Sequence, residues 1–124
     1  MSDDKTSGLA SAAETPQQSW RDLVAKHDPV AHEKMLAYIG HITGKPDIPE
    51  QYRELILFAA SATIRYSSSM LTHGARAVAA GATADQLFQA GALAALSGGF
   101  SSLIETTAVM ADLEASGVLG TEKG

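Results

Sequence analysis

Four side chains in the stretch ELILFAASATIRYSSSMLTH could together do acid/base chemistry: Glu54, Tyr66, Ser69 and His73. Tyr66 and Ser69 stand seven and four residues before His73. On a helix those offsets put all three on one face, because residues three, four and seven apart stack along it. Should the preceding helix fold back on that face, Glu54 would meet His73. A carboxylate that orients an imidazole makes a general acid/base, and a phenol and a hydroxyl beside it could contact a substrate. Each residue also has a plainer reading. Glu54 could be a solvated first-turn charge that favours its helix dipole. His73 could be a core histidine with one satisfied hydrogen bond, and Tyr66 could be packing. Ser69, His73 and Glu54 have the residue types of a hydrolase triad, with first-turn amides near Ser69 to hold an oxyanion. No G-x-S-x-G elbow accompanies them.

The elements that must position these residues read as helices throughout. Thr15-Pro16 and Asp28-Pro29 each pair an N-cap type with proline at the first helical position. The first helix ends near His27 and the second at Gly44. Pro49 opens a third, running to about Ile64, that is nearly all apolar after Glu54. A helix apolar around most of its circumference is central to a fold or covered by a second subunit. Ser67-Ser68-Ser69 offers N-caps for a fourth helix that closes at Gly81. Thr83-Ala84-Asp85-Gln86 matches a capping box for the fifth. Ser97-Gly98-Gly99 breaks it, and a sixth runs from about Phe100 to just before Gly117. The tail VLGTEKG is expected to fray. No strand-like alternation of useful length occurs, so the fold class is all-α, a compact bundle of about six helices. The expected organisation is a disordered leader over 1–14, one helical domain over 15–119 and a tail over 120–124.

Composition narrows the function. With 124 residues there is material for one core. A net charge of −5 argues against nucleic acid or an anionic membrane surface as the main partner. No apolar run reaches membrane-spanning length, and the N-terminus lacks a signal-peptide pattern, so a cytoplasmic protein is expected. The chain has no cysteine, which removes thiol catalysis, disulfides and thiolate metal sites. His27, His32 and His41 show no metal-ligand pairing, so no metal is expected. Arg65 and Arg76 could attract a substrate carboxylate, or serve as solvated or inter-subunit ion pairs.

The order of these features resembles the carboxymuconolactone decarboxylase superfamily, and within it the alkylhydroperoxidase D-like (AhpD-like) branch. The resemblance is carried by RELILFAASATI, then HGARAVAAGATADQL, then AALSGGF, and it extends from about Asp28 to Glu114. It implies helical subunits assembled as trimers or hexamers, with active sites at or near subunit contacts. In the peroxidase branch a glutamate precedes a pair of cysteines two residues apart, and a histidine follows the second by four. Glu54 and His73 match that glutamate and histidine, whereas the cysteine positions hold Tyr66 and Ser69. A hydroxyl is far harder to ionise than a thiol and has no disulfide chemistry, so peroxide reduction by this route is excluded. The decarboxylase branch usually has an acidic residue where Ser69 stands, and that too is missing.

Two functions follow as expectations. One is a cofactor-free enzyme doing decarboxylation or proton transfer on a small organic acid or lactone, with Glu54 and His73 catalytic and Tyr66 and Ser69 on the substrate. The alternative is a non-catalytic oligomeric binding or scaffold protein that lost the thiol peroxidase activity of its relatives.

Overall fold

The computed structural model describes residues 16–120, which form six helices and no strand. The expected leader, the cap at Thr15 and the last four residues lie outside the described residues. The helices fall into two units, one ending at Lys45 and one beginning at Pro46.

The first unit is α1 (Pro16–His27) packed on α2 (Pro29–Thr43). Asp28 is the whole connection. Its carboxylate accepts the Ala31 amide at 3.0 Å, and Pro29 needs no amide partner at the helix start. None of the residues of α2 is buried, and Val30, Leu36, Tyr38 and Ile42 are exposed.

The second unit holds α3 (Glu50–Thr63), α4 (Ser67–Ala79), α5 (Ala84–Gly98) and α6 (Phe100–Ala115). Here α3 packs on both α4 and α5, and α6 closes against α5 and α4. Phe58, Met70, Leu87 and Val109, one from each helix, are fully buried at its centre. Burying a side chain of that size stabilises by about 1.5–3 kcal/mol. The small residues let the helices approach. The Phe58 ring lies over Gly74, where a Cβ would sit 3.2 Å from it, and Thr106 fills the space a Cβ would take at Gly91.

The helix ends follow from local chemistry. Thr83 accepts the Gln86 amide while the Gln86 side chain accepts the Thr83 amide, so the capping box forms as expected. Helices α4 and α6 end in the same way: a left-handed Gly81 or Gly117, then an amide that reaches back to Ala77 or Leu113. Helix α3 uses this motif too, with Arg65 at φ 55° where glycine is usual and the Tyr66 amide on the Ser61 carbonyl.

Two local expectations are corrected. The serine run does not cap α4. Tyr66 is the cap residue without a side-chain cap bond, and the serines occupy the first turn. The tail does not fray from Val118, because Leu119 is buried in the core and its amide bonds to Leu113. Helix α3 packs on α4, α5 and α6, the central place that was one of its two expected readings, and its inner face is partly polar. Its buried stripe is Glu54, Phe58, Ser61 and Ala62, while Ile56, in the middle of the apolar run, is exposed.

Candidate functional site

The inner stripe of α3 explains why two polar residues sit in an apolar run. Glu54 and Ser61 are seven apart and so stack on one face, as Ser69 and His73 do at four apart on α4. Helices α3 and α4, joined by a short turn, run side by side, and the two faces meet in two polar rungs with Phe58 and Met70 also buried in this core.

The first rung is Glu54 with His73. His73 Nδ1 lies 2.7 Å from Glu54 Oε1. Glu54 is 3% exposed, so it is no solvated first-turn charge, and His73 is 19% exposed. The other carboxylate oxygen accepts from a residue that spacing did not single out. Arg53 donates to Oε2 from Nε at 3.2 Å and from Nη2 at 3.1 Å. The same guanidinium stands 3.8 Å from the exposed Glu50 carboxylate. Glu54 is thus held between a cation on one oxygen and an imidazole on the other, the pairing that a buried carboxylate requires. In the neutral ring, the Nδ1 proton belongs to the bond with Glu54, and Nε2 carries the lone pair.

The second rung is Ser61 with Ser69, their Oγ atoms 2.8 Å apart and both residues buried. Ser69 therefore spends its hydroxyl on Ser61. Among the described residues no hydrogen bond joins Ser69 or Tyr66 to His73. Tyr66 stands at the entry to α4, 43% exposed. The structure thus brings together two of the four residues marked in the sequence, and sets Ser69 inward and Tyr66 outward.

Arg65 has a structural post. Its Nη1 donates to the carbonyls of Thr63 and Gly98 at 3.0 and 3.3 Å, at the C-terminal ends of α3 and α5, where a cation opposes the helix dipoles. Arg76 is exposed in the last turn of α4, a favourable place for the same reason. Among the described residues no three histidine or acidic side chains gather as metal ligands. Nor is any helix long and apolar enough to cross a membrane.

Sequence spacing missed Arg53 and Ser61. Arg53 adjoins Glu54 in the chain, and neighbours on a helix point in different directions. Only a long flexible side chain can turn back onto the carboxylate. Ser61 sits in an apolar run, and its offset of seven from Glu54 was the available signal.

The curated proteins and the solved structures offer no match to this chain. The model of the carboxymuconolactone decarboxylase family matches residues 29–112, which is more than half of the chain and includes both members of the Glu54–His73 bond. By that match the chain belongs to the carboxymuconolactone decarboxylase family.

Proposed function

We propose that the protein is a cofactor-free enzyme of acid/base chemistry acting on a small organic acid or lactone, with His73 as the proton carrier. The observation that carries this reading is the 2.7 Å bond between His73 Nδ1 and the buried Glu54 carboxylate. With Nδ1 committed, Nε2 is the atom that exchanges protons. In a proton transfer, Nε2 takes the proton from a carbon next to a carbonyl. The bonding pair stays on the substrate as an enolate, and the imidazolium lies between two anions. Return of that proton to a different carbon completes an isomerisation. In a decarboxylation Nε2 first takes the proton of the substrate's carboxyl group, the carbon–carboxylate bond then breaks and CO2 leaves, and the imidazolium gives that proton to the carbanion. In this reading Tyr66, exposed at the entry of α4, is assigned a contact with the substrate. Ser69 contributes only if its bond to Ser61 opens.

The test is hydrogen–deuterium exchange at carbons beside the carbonyl, followed by NMR in D2O across lactone acids and keto acids, with CO2 release measured in parallel. Exchange or CO2 release with the wild type should fall by about 10²-fold or more in His73→Ala. No exchange and no CO2 from any compound in the panel rejects the enzyme reading.

A second reading rests on a different observation. The chain has no thiol for the family's peroxidase chemistry, and Leu93, Leu96, Phe100 and Ile104 are all exposed on α5 and α6. That combination fits a cytoplasmic homo-oligomer, trimeric or hexameric, acting as a binding or scaffold protein. It requires that His73→Ala leave cellular function intact.

A further inference from the structure

We propose that Arg53 is a positioning residue of this site: its guanidinium supplies the charge that balances Glu54, so that His73 meets the carboxylate with a single proton and presents Nε2 as a base. The proposal rests on the acid/base reading and says which residue makes that chemistry available.

The argument starts from charge. A carboxylate 3% exposed cannot be left uncompensated, because removing an ion from water without a partner costs several kcal/mol. Among the described residues Glu54 has two partners, Arg53 on Oε2 and His73 on Oε1. Two states of the cluster follow. With Arg53 as the cation, the cluster of Arg53, Glu54 and neutral His73 carries no net charge. Nδ1–H then donates to Oε1, and Nε2 has its lone pair. Without the Arg53 charge the compensation has to come from a second proton, on Glu54 itself or on His73, and we place it on the imidazole, the stronger base of the two. An imidazolium has a proton on both nitrogens and can no longer accept one. The same group at the same distance would then be an acid in place of a base.

Among the described residues no other charged side chain pairs with Glu54. Glu50 on α3 stands 3.8 Å from Arg53 and is largely exposed. Arg76 on α4, Asp85 on α5, and Glu105, Asp112 and Glu114 on α6 form no ion pair with Glu54 or His73 among the described residues. Arg53 also suits the task chemically. Two of its nitrogens converge on one oxygen, which leaves Oε1 to the imidazole. When His73 takes a proton from a substrate the cluster gains one positive charge, opposite the anion just formed.

The test reads His73 directly and needs no substrate. The two imidazole nitrogens of 15N-histidine-labelled protein are recorded by NMR at mildly alkaline pH in the wild type and in variants. The wild type should show one protonated nitrogen, Nδ1, and one bare nitrogen, Nε2. Arg53→Met should lose the bare-nitrogen signal as both become protonated, whereas Arg53→Lys should restore the wild-type pattern. Glu50→Gln, which alters the exposed neighbour of Arg53, should change nothing. In the double variant Arg53→Met/Glu54→Gln the carboxylate is gone and His73 should return to a single proton. That variant and Arg53→Gln also carry the test should Arg53→Met fail to fold. A His73 that keeps one proton in Arg53→Met or Arg53→Gln, or two in the double variant, overturns the proposal. Failure of the exchange assay alone would instead strike the enzyme reading, because these signals do not depend on turnover.

Discussion

At the scale of single residues, the two rungs between α3 and α4 differ in how far they are closed to solvent. The Ser61–Ser69 rung is buried at both ends, so removing one hydroxyl leaves the other without its partner. We expect Ser61→Ala and Ser69→Ala each to cost about 1–2 kcal/mol in denaturant unfolding. The double variant should cost less than the sum of the two, because it leaves no unpaired hydroxyl. Strict additivity in that cycle would show that the two hydroxyls do not depend on each other. The Glu54–His73 rung differs in that the imidazole is partly open and its second nitrogen makes no bond among the described residues. Helical spacing allows a meeting of Glu54 and His73 but leaves a solvated Glu54 equally open, and the match of both residues to the family's motif is what favours the pair. Spacing could not show which partner Ser69 would choose. That depended on Ser61, a polar residue in an apolar run, marked only by its offset of seven from Glu54.

At the scale of elements, helix boundaries were written in caps and stops, and most were readable. Asp28-Pro29, the Thr83/Gln86 capping box and the glycines past α4 and α6 act through bonds between neighbours in sequence, so a local reading finds them. The start of α4 was not readable in that way. The chain leaves α3 through a left-handed Arg65, a conformation that sequence assigns to glycine first, and the serines are drawn into the helix. Close helix approach was equally hidden, because small residues are needed at some positions and merely tolerated at others. Two glycines distinguish these cases. At Gly91 a Cβ would fall 2.1 Å from Thr106 Oγ1 and 2.7 Å from Thr106 Cβ, so Gly91→Ala should destabilise by about 1–3 kcal/mol through overpacking of α5 on α6. Adding Thr106→Ala should recover only part of that loss, since the Thr106 Cβ itself is too close. At Gly40, in α2, nothing lies within 4 Å, and Gly40→Ala should stabilise by about 0.5–1 kcal/mol through helix propensity. Thermal unfolding of both variants checks the pair, and equal effects of the same sign would contradict the packing described for α5 and α6.

At the scale of the whole molecule, the question is what covers the apolar surface of the second unit. Leu96, Phe100 and Ile104 are 80%, 73% and 69% exposed, and Leu93 on α5 is 56% exposed. Scattered surface leucines are ordinary, but several large apolar side chains on two consecutive helices are the composition of an interface. Family membership does not fix the assembly of this chain, so the prediction has to be tested on it directly. Light scattering after size exclusion should give three or six times the single-chain mass. Leu96→Asp/Ile104→Asp should reduce that mass to a single chain, with the helical circular dichroism unchanged, because neither side chain belongs to the core. A wild type that elutes as one chain would remove the oligomer from both functional readings. A variant that stays assembled would move the interface to another face. The same variant also separates the two functions. If Leu96→Asp/Ile104→Asp abolishes function in cells while His73→Ala does not, the protein acts through its assembly. If His73→Ala abolishes function while assembly is intact, the buried Glu54 exists to serve the imidazole, and the cost of burying it is one that catalysis justifies.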